Sequence, residues 1–112
     1  MNALEAALQT FVRAYEQQPA LMAEQRGWSP VIALRATDTG AQAAVALVDG
    51  ALAPVGASSP TLEISGDQQT LCDVLELRRD PNEPYLFGEL VVRGPEADFL
   101  RLDYIASKLC AR

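Results

Sequence analysis

The chain has 112 residues, 49% of them hydrophobic and 21% charged, with a formal net charge of −6. This length and composition predict one folded domain spanning residues 1–112 and exclude a disordered chain. The negative charge repels phosphate groups, so nucleic acid is not an expected partner. The sequence has neither a signal-peptide pattern at its start nor an 18-residue apolar stretch, so we expect no transmembrane segment and a cytoplasmic location.

The chain opens with a pattern typical of an amphipathic helix. Apolar residues recur at helical spacing from Leu4 to Tyr15, and Asn2 with Glu5 predicts a capping box at the helix start. Pro19 interrupts this pattern and predicts a second, short helix over residues 19–25, with Gly27 just past its end.

Four strands are predicted next. Residues 31–37 and 42–48 are short apolar runs joined by a turn, which indicates a hairpin, and Asp49-Gly50 predicts a second tight turn. Residues 51–55 form a weaker strand, which Pro54 assigns to a sheet edge because proline cannot donate a ladder hydrogen bond. After a loop over residues 56–60, Leu62 and Ile64 alternate with polar residues, as in a half-buried strand.

The second half predicts two helices and another strand. Asp67 is a predicted N-cap, and Arg78 with Arg79 is predicted to close the helix that follows. The two prolines in residues 80–84 predict a loop, and the aromatic and branched residues of 85–93 predict a strand. Gly94-Pro95 begins a last helix, which ends near Lys108 and Arg112. This order predicts an α+β fold with a largely antiparallel sheet covered on one face by helices.

Familiar catalytic chemistry is missing from the sequence. The chain has no histidine, which removes the usual triads, proton shuttles and histidine-bound metals, and it has no glycine-rich phosphate loop. The aspartates that remain have structural explanations, since Asp38 and Asp49 fall in turns and Asp67 caps a helix. Cys72 and Cys110 lack redox or zinc spacing. We therefore expect no enzymatic activity, no catalytic residue, no cofactor and no metal.

The second half of the chain resembles the sterol carrier protein type-two lipid-binding domain. The resemblance is carried by residues 60–67 leading into a helix, by Asp80-Pro81, and by Gly88, Leu90, Val92 and Gly94 in the pattern Gly-x-Leu-x-Val-x-Gly. Asp49-Gly50 is similar to the family's turn after its second strand. The chain departs from the family at Leu77-Arg78-Arg79, where glycine is usual.

The resemblance implies a sheet of about five strands that encloses an apolar tunnel with its helices. The residues expected to line the tunnel are Leu71, Val74, Leu75, Tyr85, Phe87, Phe99, Leu102 and Ile105. Trp28 is expected either in the core or at the mouth of the tunnel. On this basis Phe87→Arg is expected to abolish ligand binding. Family members that serve as accessory factors in bacterial quinone or lipid metabolism make an isoprenoid an attractive ligand.

Two functions remain open from the sequence. The first is a non-enzymatic module that binds or presents a fatty acyl, sterol-like or isoprenoid lipid, alone or as an accessory to a lipid-metabolising enzyme. The second is an interaction domain with a filled core, whose partner is another protein or a second copy of the chain. An open apolar cavity favours the first function, and a full core with an exposed apolar patch favours the second.

Overall fold

A computed structural model describes residues 2–56 and 59–110 of the chain. The predicted loop over residues 56–60 falls partly, and Arg112 wholly, outside the described residues. The elements in chain order are α1 (Ala3–Glu16), α2 (Pro19–Glu24), β1 (Val31–Ala36), β2 (Gln42–Val48), β3 (Ala51–Pro54), β4 (Leu62–Gly66), α3 (Gln68–Leu75), α4 (Asn82–Leu86), β5 (Leu90–Arg93) and α5 (Glu96–Cys110).

The five strands form one mixed sheet in the order β3-β2-β1-β4-β5. Neighbouring strands are antiparallel except β1 and β4, which are parallel, with Ile32 opposite Leu62. The predicted α+β class and largely antiparallel sheet are confirmed. Pro54 lies on the edge strand β3, as its missing amide hydrogen requires.

Helices α1 and α3 begin, and the chain turns between β2 and β3, at the residues that the sequence indicates. The Asn2 side chain accepts a hydrogen bond from the Glu5 amide at 2.8 Å, and the Glu5 carboxylate accepts one from the Asn2 amide at 3.0 Å. Asp67 caps α3 by accepting from the Thr70 amide at 2.8 Å. Asp49 and Gly50 both have positive φ, which matches the twist of the hairpin between β2 and β3.

The hydrophobic core lies between one face of the sheet and the helices. Ile32 and Leu34 of β1, Val45 of β2 and Ile64 of β4 project from this face and are all buried. Because side chains alternate along a strand, the residues between them face the other way, and there the sheet carries mainly small or polar side chains. The core side chains of these three strands therefore come from a single set of alternating positions.

The sequence prediction is wrong between residues 80 and 89. Instead of a loop followed by a long strand, the chain forms the short helix α4, and β5 begins only at Leu90. Pro84 is fully buried, and the Tyr85 ring contacts the Phe99 ring with centroids 4.5 Å apart. These tertiary contacts hold a helix that is too short to be stable alone.

The chain reverses after α3 through a residue in a left-handed conformation. Leu77 has a φ of 65°, in a region that favours glycine because it carries no Cβ. This is the place where the sterol carrier pattern usually has glycine and this chain does not. The Leu77 side chain packs against the core, so apolar burial offsets part of the backbone strain.

Candidate ligand-binding site

An apolar cavity of about 60 Å³ lies between the core face of the sheet and the helices α1, α3 and α5. All five strands contribute to its wall, and among the described residues that line it Asp103 alone has a polar side chain. The lining residues are Leu8, Phe11, Ile32, Leu34, Val45, Leu52, Ile64, Leu71, Val74, Leu75, Pro81, Leu90, Phe99, Leu102, Asp103 and Ala106. Such a wall can take up an alkyl chain or ring but offers few directional contacts.

The structure brings five of the nine predicted site residues together around this cavity. They come from two helices and are Leu71, Val74, Leu75, Phe99 and Leu102. Ile105 is buried in the core, with 3% of its surface exposed, but does not line the cavity. That these residues bind a ligand stays a prediction.

Tyr85 and Phe87 are misplaced by the sequence prediction because the segment is not a strand. In a strand they would share a face, but here Tyr85 lies in α4 and Phe87 at its C-terminal end. Phe87 is 77% exposed, so its predicted place in the tunnel wall is wrong. Tyr85 does not line the cavity itself, but its ring packs against Phe99, which does.

Trp28 lies in the segment between α2 and β1, where it makes a polar contact with α5, and it does not line the cavity. Its indole nitrogen donates to the Asp98 carboxylate at 2.7 Å, and the Arg101 guanidinium lies 5.0 Å from its ring centroid. Arg101 also donates to the side chain of buried Gln25 at 2.8 Å. Trp28 is partly buried against the core, which favours its structural role over its predicted place at the ligand mouth.

Sequence reasoning missed the contribution of the sheet and of α1. Periodicity predicts that Leu8, Phe11 and Ile64 are buried, but it does not indicate which buried residues border a gap in the packing. Asp103 was also missed, since a single carboxylate within a helix carries no sequence signal. Its Oδ1 atom is buried and has no hydrogen-bond partner among the described residues. Burial raises the pKa of Asp103, and nearby Asp80 raises it further.

A wider groove of about 720 Å³ runs outside the cavity, between α1 and the edge formed by β2 and β3. Leu8 lines both the groove and the cavity, so its side chain lies between them. The groove also carries the charged residues Glu5, Arg13 and Glu16. Displacement of Leu8 would join the interior space to the surface.

Arg78 and Arg79 lie beyond the C-terminal end of α3 and are both paired. Arg78 contacts Asp73 at 2.6 Å and Glu76 at 2.7 Å, whereas Arg79 contacts Glu89 at 2.9 Å and Glu83 at 3.2 Å. Both guanidinium groups are therefore engaged by carboxylates of the chain itself. Both cysteines are half-buried free thiols, and burial raises the pKa of each.

Solved structures of sterol carrier domains share this fold over nearly the whole chain. Sterol carrier protein domain 2 of Helicoverpa armigera matches with a TM-score of 0.68 and 13% identity, over 98% of this chain and 90% of that one. Palmitated SCP2L2 from Aedes aegypti matches with a TM-score of 0.64 and 14% identity, over 88% of this chain and 92% of that one.

A larger enzyme contains a region of the same shape. The sec-alkylsulfatase Pisa1 from Pseudomonas sp. matches with a TM-score of 0.60 and 15% identity, over 77% of this chain but 14% of that enzyme. No family model and no curated protein sequence matches the chain. The fold is therefore the sterol carrier protein type-two fold, as the sequence resemblance predicts. Within residues 2–56 and 59–110, none of the helices has the length and hydropathy needed to cross a bilayer.

Proposed function

We propose that this protein binds the apolar part of a lipid between its sheet and helices, and holds or presents that lipid without reacting with it. The observation that carries the proposal is the cavity wall, in which fifteen of the sixteen side chains are apolar. The ligand is a fatty acyl, sterol-like or isoprenoid molecule. The protein acts alone or as an accessory to an enzyme that modifies this lipid.

Binding at such a site is driven by transfer of the apolar chain of the lipid from water into the cavity. Each methylene taken from water into the cavity contributes about 0.8 kcal/mol. Association opposes this with a cost of roughly 4–15 kcal/mol, so a chain of ten or more carbons is needed for useful affinity. Because the wall apart from Asp103 is apolar, the chain of the ligand is selected by its length and shape.

The present cavity is smaller than a lipid needs. Sites for small molecules are roughly 300–1,000 Å³, several times larger than the 60 Å³ found here. Binding therefore requires the helices to move away from the sheet, and Leu8 is the residue whose movement connects the cavity to the outer groove. We propose that the structure is the closed, unliganded form of a cavity that expands around its ligand.

The comparisons support this proposal in two ways. The Aedes aegypti domain with the same fold is described as palmitated, which makes a single alkyl chain a reasonable first ligand to test. The Pseudomonas sp. enzyme includes a region of this shape within a longer chain that acts on sec-alkyl sulfates. That arrangement supports a role for the fold beside an enzyme whose substrate carries an alkyl chain.

The test of the proposal is lipid binding by a variant with a filled cavity. Ala106 lines the cavity and is 4% exposed, so Ala106→Leu places a larger side chain in the space that a ligand needs. We expect native mass spectrometry with a panel of single-chain lipids to show at least about a tenfold loss of affinity. The loss of stability should lie near the lower end of the roughly 1–3 kcal/mol that overpacking a core costs, because the cavity accepts part of the added volume.

Phe87→Arg is the matched control, because Phe87 lies outside the cavity and is largely exposed. It should bind the same lipids as the parent protein, opposite to the sequence-based expectation for this substitution. Wild-type protein that binds no lipid in the panel, or Ala106→Leu protein that binds as well as wild type, would contradict the proposal.

The alternative function is an interaction module with a collapsed cavity. It is favoured by three exposed apolar side chains near α4 and the edge strand β5: Leu86 is 68% exposed, Phe87 77% and Val91 52%. On this alternative, Leu86→Glu should shift the sedimentation coefficient of a self-associated species toward the monomer. On the lipid-binding proposal, this substitution leaves lipid binding unchanged, because Leu86 lies outside the cavity.

A further inference from the structure

The apolar cavity has a polar end at Asp103. This residue also lines a second, open depression of about 340 Å³, together with Asp80, Asn82, Glu83 and Ser107. Asp103 is the one residue shared by the cavity and this depression. A long molecule with its chain in the cavity would therefore leave at Asp103 and place its polar group in the depression.

Asp103 lacks a partner that its chemistry requires. Its Oδ1 is buried without a hydrogen bond among the described residues, although a buried acceptor is normally satisfied. A carboxylate oxygen accepts hydrogen bonds strongly, and leaving it unpaired away from water is unfavourable. A ligand that brings a donor to this oxygen supplies the missing hydrogen bond.

The charges around the depression are predominantly negative. Asp80 and Glu83 lie in its wall with Asp103, and Arg79, which pairs with Glu83 at 3.2 Å, is also engaged by Glu89 at 2.9 Å. The Asp80 carboxylate accepts a hydrogen bond from the Asn82 amide at 2.9 Å but has no ion pair among the described residues. An anionic head group placed here would meet like charges at short range.

We infer that Asp103 selects lipids whose polar end is a hydrogen-bond donor without negative charge, such as an alcohol, over lipids that end in an ionised carboxylate. This inference rests on the proposed function, because it assumes that the chain of the lipid occupies the cavity. It assigns Asp103 as a specificity-determining residue, whose unpaired oxygen accepts from the ligand hydroxyl. Asp80 and Glu83 add repulsion against anionic ends.

Two probes with the same alkyl chain test the inference. We would measure the affinities of 1-dodecanol and dodecanoate by competition with a fluorescent lipid at about pH 7.5, where dodecanoate is ionised. Wild-type protein should bind the alcohol at least about tenfold more tightly than the carboxylate. Asp103→Asn should narrow this ratio to less than about threefold, mainly through tighter dodecanoate binding, since its amide can donate to a carboxylate.

Glu96→Gln provides the matched control, because it removes one negative charge from the exposed first turn of the same helix, away from the cavity. It should keep the wild-type ratio. Equal affinity of wild type for the two probes, or a preference that Asp103→Asn leaves unchanged, would overturn the inference while the proposed function stands. Failure of wild type to bind both probes would overturn the inference, and failure to bind the fluorescent lipid as well as every lipid of the panel would overturn the proposed function.

Discussion

At the scale of the residue, Asp103 makes the stability of the protein depend on pH. Its pKa is raised above the usual value of 3.8, first by burial and then by Asp80. The folded state therefore binds a proton more readily than the unfolded state. The stability that this linkage contributes is fully present below the unfolded pKa, and it is lost as the pH rises through the folded pKa.

Asp103→Asn removes this loss of folding stability at rising pH, because the asparagine amide is neutral at every pH. We expect the variant to melt at a higher temperature than wild type near pH 7, and at nearly the same temperature near pH 3, where the wild-type carboxyl is protonated. Thermal unfolding followed by circular dichroism across this pH range provides the check. A melting difference of the same size at both pH values would contradict the assignment.

Single residues were also where the sequence was most informative. The roles of Asn2, Glu5 and Asp67 could be predicted because a cap depends on a side chain and an amide within the same helical turn. The Asp49-Gly50 turn could be predicted for a similar local reason. The importance of Asp103 could not, since its environment is assembled from α4, the loop before it and α5, which are distant in sequence.

At the scale of the element, α4 depends on contacts made outside itself. A helix of five residues gains little from its own hydrogen bonds, and here Pro84 is buried while the Tyr85 ring contacts Phe99. The two prolines and the aromatic residues indicated a loop and a strand, because sequence patterns report local preference and not these tertiary contacts. The sequence prediction for residues 80–89 was wrong because these tertiary contacts override the local preference.

Tyr85→Ala should loosen α4 in particular. We expect a loss of about 1–2 kcal/mol in the free energy of unfolding, since an aromatic pair and part of a buried ring are removed. Hydrogen exchange should speed up at the amides of Phe87, Gly88 and Glu89, which donate to carbonyls of α4.

Phe87→Ala serves as the control for this prediction, because its ring is largely exposed and its removal leaves the Tyr85 contact in place. It should leave the stability within about 0.5 kcal/mol of wild type. If the two variants exchanged amide hydrogen at the same rate in α4, the contact between Tyr85 and Phe99 would not be what holds this helix.

At the scale of the whole molecule, the parallel pairing of β1 with β4 brings the two halves of the chain together. Alternation along each strand identifies a buried face but not the order of the strands, so the sequence predicted a largely antiparallel sheet but neither its strand order nor its parallel pair. The cavity is harder still to predict. It is a small difference between the space enclosed by the backbone and the volume of the side chains that fill it.

A bound lipid would also change the stability of the whole folded protein. A ligand that binds only the folded state stabilises it by about 2.7 kcal/mol at a free concentration one hundred times its dissociation constant. That gain must include the work of separating the helices from the sheet. Amides of α1, which carries Leu8, should then respond to the ligand along with those of α3 and α5.

The central claim is that the alkyl chain of a lipid lies inside the cavity and not on the exposed apolar surface near α4. The most direct test is to detect nuclear Overhauser effects between the chain of 1-dodecanol and methyl groups of the labelled protein. We expect contacts to the methyl groups of Ile64, Leu71 and Leu75. Contacts confined to Leu86 and Val91, with the cavity methyl groups unperturbed, would contradict it.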